Sequence, residues 1–255
     1  HLEVRGLNVA MRPRTLLGGR LTLTDVSVEQ VALQLKERPE QPKTETRFLP
    51  AGFSIRVRSF RVSDLDVTLQ NGQHIVANEA RGALSLTRWR LNLDPINVRG
   101  PQGQLDGSLG LRATEPLGLR TNLRGEWRLP GDEFDYRFRV QTDGKLDRLA
   151  TELYLDAPAK LSFSGTLLDL TERPRARGTI RIVEFDGSPW LSPDTIPRLS
   201  GTIALAAGLR GLGFDGTFTS PALPGQPVRL QGSGRFAERA IDIRSFRLWL
   251  PRIGS

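Results

Sequence analysis

The chain has no cysteine and only two histidines, and both shortages narrow its chemistry. Without thiols there are no disulfides and no thiolate metal sites, which fits either a reducing compartment or a periplasmic protein that does without cross-links. The histidines are His1 and His74, and His74 stands beside a hairpin signal, where a solvent-facing strand residue is the ordinary reading rather than a catalytic base. Lysine is confined to Lys36, Lys43, Lys145 and Lys160, so the net charge of +8 is carried almost wholly by arginine. No apolar run approaches the ~18 residues that a membrane-spanning helix requires, and nothing past residue 20 reads as more than one or two helical turns. No signal-peptide pattern is visible; with His1 leading and Met11 the only methionine, the sequence reads as a segment of something longer.

What the chain does contain is a recurring hydrophobic phrase, apolar-x-apolar-x-x-apolar-x-apolar. It reads Leu21, Leu23, Val26, Val28, then Ile55, Val57, Phe60, Val62, then Leu84, Leu86, Trp89, Leu91, and finally Ile241, Ile243, Phe246, Leu248. The first two copies stay in step through Val31, Leu33, Leu35 and Leu65, Val67, Leu69, and Arg58-Ser59-Phe60-Arg61 recurs as Arg244-Ser245-Phe246-Arg247. On a helix this spacing scatters its apolar groups around the axis. On a strand it puts each pair on one face, with the extra residue absorbed by a bulge or bend. Self-similarity of this kind belongs to stacked, quasi-one-dimensional architectures.

Hydrophobic residues make up 38% of the 255, low for a compact domain but adequate for an extended body one sheet thick. Along the chain, Leu2 to Met11 alternates; Thr15-Leu16-Leu17 forms a helical turn that Gly18-Gly19 stops. Residues 37–50 read as an exposed loop, and residues 184–198, with Trp190 and two prolines, as an irregular excursion. Turns are expected at Asn71-Gly72, Pro130-Gly131 and Asp143-Gly144, and a strand over Ala83 to Leu93. Roughly sixteen strands at ~4.8 Å spacing would make a ladder ~75 Å long and ~25 Å wide. Its apolar face has no amphipathic helix to cover it, so the sheet must fold on itself as a sandwich, a barrel or an open trough.

Carboxylate pairs such as Asp64 and Asp66, or Asp132, Glu133 and Asp135, occupy polar strand positions and turns, where solvated charge is usual; no enzyme is expected. Asp106-Gly107 and Asp215-Gly216 lack the ligand series of a calcium loop, and no cofactor or metal is expected. Arg56, Arg58, Arg61, Arg88, Arg90, Arg137 and Arg139 take alternate strand positions, the pattern of a solvated face rather than a nucleic-acid footprint. The tryptophans fall mostly on the apolar phase, as core rather than base-stacking platforms.

The opening stretch, Leu2-Glu-Val-Arg-Gly-Leu-Asn-Val followed by Leu16-Leu17-Gly18-Gly19-Arg20-Leu21 and on through Val26, Val28, Val31, Leu33 and Leu35, resembles the N-terminal periplasmic part of the AsmA-like family of bridge-like lipid transfer proteins. Within that family it looks most like the inner-membrane-anchored subunit of the translocation and assembly module. The Pro-rich charged loop, the second phrase, Asn71-Gly72 and Leu84-Ser-Leu86-Thr-Arg-Trp89-Arg-Leu91-Asn-Leu93 follow in the same order. The resemblance implies a Gram-negative periplasmic protein, anchored in the inner membrane by a segment outside this chain. It further implies a long β-taco that passes phospholipids towards the outer membrane, and an outer-membrane barrel partner, TamA, reached through a C-terminal part also outside it.

The expected fold is therefore all-β: one elongated, curled β-groove segment over residues 1–255 with a hydrophobic concave interior. Strand phase assigns its acyl-chain lining to Val57, Phe60, Val62, Leu65, Val67, Leu69, Leu84, Leu86, Trp89, Leu91 and Leu93. The alternatives are a scaffold or chaperone that pairs with strands of outer-membrane proteins at its open edges, and a closed sandwich serving as an adhesin or glycan-binding module.

Overall fold

The computed structural model describes residues 2–34, 47–68, 74–128, 134–157, 159–185, 198–220, 223–237 and 240–249. Leu69, Asn71-Gly72, Pro130-Gly131, Trp190, most of the loop at 37–50 and most of the excursion at 184–198 lie outside the described residues. The chain is all-β, and its only described helical element is a 3-10 turn, Pro13–Gly18, ended by Gly19 in the left-handed conformation at φ 68°. By internal packing the chain divides into two compact units, 1–135 and 136–255.

In the first unit the strands are β1 (Leu2–Arg5), β2 (Asn8–Met11), β3 (Arg20–Gln34), β4 (Ser54–Thr68), β5 (His74–Ala77), β6 (Glu79–Leu86), β7 (Arg90–Gly100), β8 (Gly103–Arg112) and β9 (Gly118–Arg128). β1 and β2 lie end to end along β3; β5 and β6 lie end to end along β4; β6 to β9 form an antiparallel meander. The exception is β3 against β4, which run parallel. Their register is the sequence repeat itself: Leu21 faces Ile55, Leu23 Val57, Val26 Phe60, Val28 Val62, Val31 Leu65 and Leu33 Val67. Two strands that carry the same phrase at the same phase keep every apolar residue on one face when laid parallel and in step, whereas a one-residue slip would turn each to the other side.

The phrase's extra residue is the expected bulge. Ladder register shifts between Val57 and Phe60 of β4, and beside Thr24 of β3. It shifts again between Leu93 and Ile96 of β7, where Asp94-Pro95 intervenes. This last site corrects the reading of the third copy. Leu84, Leu86, Trp89 and Leu91 do not share a strand: β6 ends at Leu86, a tight turn over Thr87–Trp89 follows, and β7 begins at Arg90. That turn is closed by Thr87 N–H donating to Arg90 O (2.8 Å) and Arg90 N–H donating to Thr87 Oγ1 (3.1 Å), a local hydroxyl bond that outcompetes the ladder. The third in-strand copy is Leu91, Leu93, Ile96, Val98, with the bulge at Asp94-Pro95.

The second unit is an uninterrupted antiparallel meander: β10 (Asp135–Lys145), β11 (Arg148–Ala157), β12 (Lys160–Leu168), β13 (Arg175–Phe185), β14 (Leu199–Gly208), β15 (Gly211–Ser220), β16 (Leu223–Ala237) and β17 (Ala240–Trp249). The fourth phrase lies on β17, and again its extra residue, Arg244, is a bulge against Ser233 and Gly234. The turn expected at Asp143-Gly144 is instead strand; the chain reverses at Leu146-Asp147, and Gly144 takes φ 145° inside β10, packed against Arg148 O.

Candidate functional site

Strand pairing lines up side chains in transverse rows, and the rows decide what each face is. In the first unit one row reads Leu21, Ile55, Leu86, Leu91, Leu111, Leu119, and the next Leu23, Val57, Leu84, Leu93, Leu109, Thr121. Beyond the bulges come Val26, Phe60, Gly82, Ile96, Gly107, Leu123 and then Val28, Val62, Ala80, Val98, Leu105, Gly125. The other face reads Thr22, Arg56, Ser85, Asn92, Gly110, Arg120 and Ser27, Arg61, Arg81, Asn97, Asp106, Arg124. One side is a continuous aliphatic surface. The opposite side is polar, with Arg61 and Arg81 both paired to Glu79 and Asn97 donating to Asp106.

The same division holds in the second unit. Its apolar rows include Val140, Leu153, Phe163, Ile180, Ile203, Gly216, Leu230, Leu248 and Phe138, Leu155, Leu161, Ile182, Gly201, Phe218, Val228. Its polar face carries Arg139, Arg181 and Arg229; Asp215 is gripped by Arg229 at 2.7 Å, which lowers its carboxyl below the usual range, and Glu152 accepts from Tyr154 Oη and raises that phenol.

Neither apolar face is sealed. Among the described residues only seven apolar side chains are buried, and Leu149, at 2% exposure, is the one large side chain fully out of water. A sandwich of this length would bury most of its inward-facing rows. Here Leu153 is 37% exposed, and on β17 Ile243, Phe246 and Leu248 are 48–58% exposed.

Of the residues assigned to the lining, Val57 is buried and Phe60, Val62, Leu84, Leu86, Leu91 and Leu93 are half-buried in the apolar rows, while Leu65 and Val67, half-buried further along β4, stand an odd number of residues past Val62. Trp89 is not among them. It stands in the β6–β7 turn, 41% exposed, between the guanidiniums of Arg88 at 4.6 Å and Arg47 at 5.8 Å from its ring centre. Trp249, read as apolar-phase, stands instead on the polar row with Arg229 5.5 Å from its ring. Sequence reasoning left out Ile96, Val98, Leu105, Leu109, Leu111, Leu119 and Leu123, and all the apolar rows of the second unit. Their signal was present: strict two-residue alternation in β8, β9 and β10, and the phrase in β7.

The apolar rows carry glycines, and phenylalanines lie over them. Phe163 Cζ is 2.7 Å from where a Cβ on Gly165 would stand, and Phe163 Cε2 is 2.7 Å from the same point on Gly178. Phe218 covers Gly201 and Gly216, Phe214 covers Gly232, and Phe60 covers Gly82. The rings are folded down onto the sheet and shield the backbone that glycine leaves bare. The arrangement offers an apolar surface, interrupted by Thr121 and Thr151, and carries the ion pairs described above on its reverse side. No family model, no curated protein and no solved structure matches the chain.

Proposed function

We propose that this chain is a section of a periplasmic bridge of the AsmA-like type, similar to TamB, whose apolar face shelters the acyl chains of phospholipids in passage between the inner and outer membranes. The observation that supports it is the face itself: row after row of Leu, Val, Ile and Phe in each unit, with no second layer over them among the described residues. A soluble protein has no use for so large an uncovered apolar surface unless something apolar occupies it. A two-tailed lipid with about thirty methylenes costs on the order of 25 kcal/mol to expose to water, at ~0.8 kcal/mol per CH₂. Only an uninterrupted apolar lining relieves that along a path, which is the property the rows supply. In this reading the anchor and the TamA partner belong to parts outside the chain.

The test is native mass spectrometry of the purified chain, with Leu86→Arg as the control. Co-purified phospholipid that Leu86→Arg removes, with far-UV circular dichroism unchanged, is the expected result. Absence of lipid from the parent protein, or equal lipid on both, overturns the assignment.

A second reading, strand pairing with outer-membrane protein clients, is favoured by β17, whose residues 242–249 are all exposed. A photoreactive side chain at Leu86 separates the two: lipid is captured under the first, and polypeptide, by the same group placed at Ile243, under the second.

A further inference from the structure

The polar face of the second unit contains a hollow of about 520 Å³ whose chemistry is unlike the rest of that face. Its floor is one transverse row in which side chains nearly vanish: Ala206, Gly213 and Ser233. A Cβ added to Gly213 would meet nothing nearer than Ala206 O at 4.0 Å, so the floor is open rather than filled from above. Arginines stand around it: Arg177 on β13, Arg210 in the β14–β15 turn, Arg235 on β16 and Arg244 at the β17 bulge. Arg175 also reaches it but is neutralised by Asp169. The other four make no ion pair among the described residues, although Asp242 stands opposite Arg235 in the ladder.

Elsewhere on this face Arg229 is matched with Asp215, and Arg139 with Asp156 and the Tyr154 ring, while Arg181 and Arg247, which make no ion pair among the described residues, lie outside the hollow. Four unmatched guanidiniums around a bare backbone floor repel one another unless an anion sits between them. Guanidinium forks suit the oxygens of phosphate in particular, since they bind two at a time. Ser233 Oγ, 2.8 Å from Ser245 Oγ, adds a hydroxyl at the floor. The bulge at Arg244 matters because the extra residue swings that side chain out of regular alternation and towards the hollow.

We infer that this arginine-rimmed hollow binds a phosphate group, carried either by a small soluble phosphate ester or by an anionic lipid headgroup. It lies on the face opposite the apolar rows, so it stands or falls independently of the lipid-conduit reading.

Calorimetric titration of the chain with glycerol 3-phosphate, and flotation with vesicles of phosphatidylglycerol or of phosphatidylcholine, test it. Saturable binding of glycerol 3-phosphate points to the soluble source; binding to phosphatidylglycerol vesicles alone points to the headgroup. In either case Gly213→Glu, which sets a carboxylate on the open floor without a clash, abolishes binding. Arg177→Gln with Arg244→Gln weakens it at least about tenfold, the scale of one charge-assisted hydrogen bond. Arg56→Gln with Arg58→Gln, an equal charge loss in the first unit, leaves it unchanged. Absence of binding to both probes, or equal weakening by the two double variants, overturns the site, the latter because general charge attraction then accounts for everything. Circular dichroism of each variant confirms that the strands persist.

Discussion

If the apolar faces are uncovered, the usual ranking of core truncations reverses within the second unit. Phe163 is half-buried, its ring folded over Gly165 and Gly178, whereas Leu149 is 2% exposed. Phe→Ala in a closed core costs about 3–5 kcal/mol, because a sealed cavity is added to the lost transfer energy. Over an open face the cavity term disappears: water or a neighbouring side chain enters the dent. What remains is the transfer energy of a partly buried ring, roughly 1–2 kcal/mol, plus up to ~0.5 kcal/mol for uncovering two glycines. Phe163→Ala is therefore expected to cost about 2 kcal/mol. Leu149→Ala, in an enclosed site, is expected to cost about 3 kcal/mol despite removing fewer atoms. Urea unfolding of each variant, followed by far-UV circular dichroism with the m-value checked for constancy, gives both numbers. A loss above about 3.5 kcal/mol for Phe163→Ala, or one exceeding that of Leu149→Ala, refutes the uncovered face, since only a second layer supplies the missing cavity term.

The parallel register of β3 and β4 is checked in a chain that has no native thiol: Ser27→Cys with Arg61→Cys are direct ladder partners about 4.8 Å apart and should lose both free thiols on mild oxidation, while Ser27→Cys with Arg56→Cys, five residues out of step, should keep them. The Asp215–Arg229 pair lowers the Asp215 carboxyl in the folded chain, so its contribution is present above the unfolded carboxylate range and fades as pH falls through the lower folded value. Asp215→Asn should remove that part of the acid sensitivity and leave neutral-pH stability almost unchanged, because the pair is solvent-exposed; an unaltered acid unfolding profile would contradict the linkage. Leu86→Arg should keep its strand content while losing bound lipid.

The fold class was legible because its signal is periodic. Two-residue alternation names strands whatever their neighbours do, and the phrase with its extra residue announced bulges that the ladders of β3, β4 and β17 contain. The parallel pairing was not foreseen, although the first two copies match position for position at the spacing the ladder uses. What misled was the third copy. Leu84, Leu86, Trp89 and Leu91 have the right spacing, but Thr87 bonds its own backbone neighbourhood and turns the chain there. Spacing alone carries no information about such a local competitor. Gly144 misled in the reverse sense: Asp143-Gly144 has turn composition, yet the glycine is needed for its close approach to Arg148 O within the ladder. The arginine hollow was not legible at all, because Arg177, Arg210, Arg235 and Arg244 are brought together by register across five strands and no short motif joins them.

The glycines of the apolar rows bear on what these faces are for. Glycine inside a strand weakens it by roughly 0.5–1 kcal/mol, so six of them under four phenylalanines, at Gly82, Gly165, Gly178, Gly201, Gly216 and Gly232, are a standing cost. In a two-layer fold that cost would be hard to offset, since facing sheets about 10 Å apart are held by side chains that project and interlock. A ring folded flat over a neighbouring glycine does not project. It covers its own backbone and leaves a low, smooth apolar surface with little to key into an opposing sheet. Such a surface suits a guest without fixed shape, which needs continuous contact more than complementary ridges. Rigid protein partners gain most from pockets and knobs; flexible hydrocarbon gains as much from a plain wall, because its hydrophobic transfer energy depends on area alone. The ring-over-glycine pattern thus argues for the lipid reading over the strand-pairing one along the rows, and confines the latter to the exposed strand β17, where Ile243, Phe246 and Leu248 are about half exposed to water.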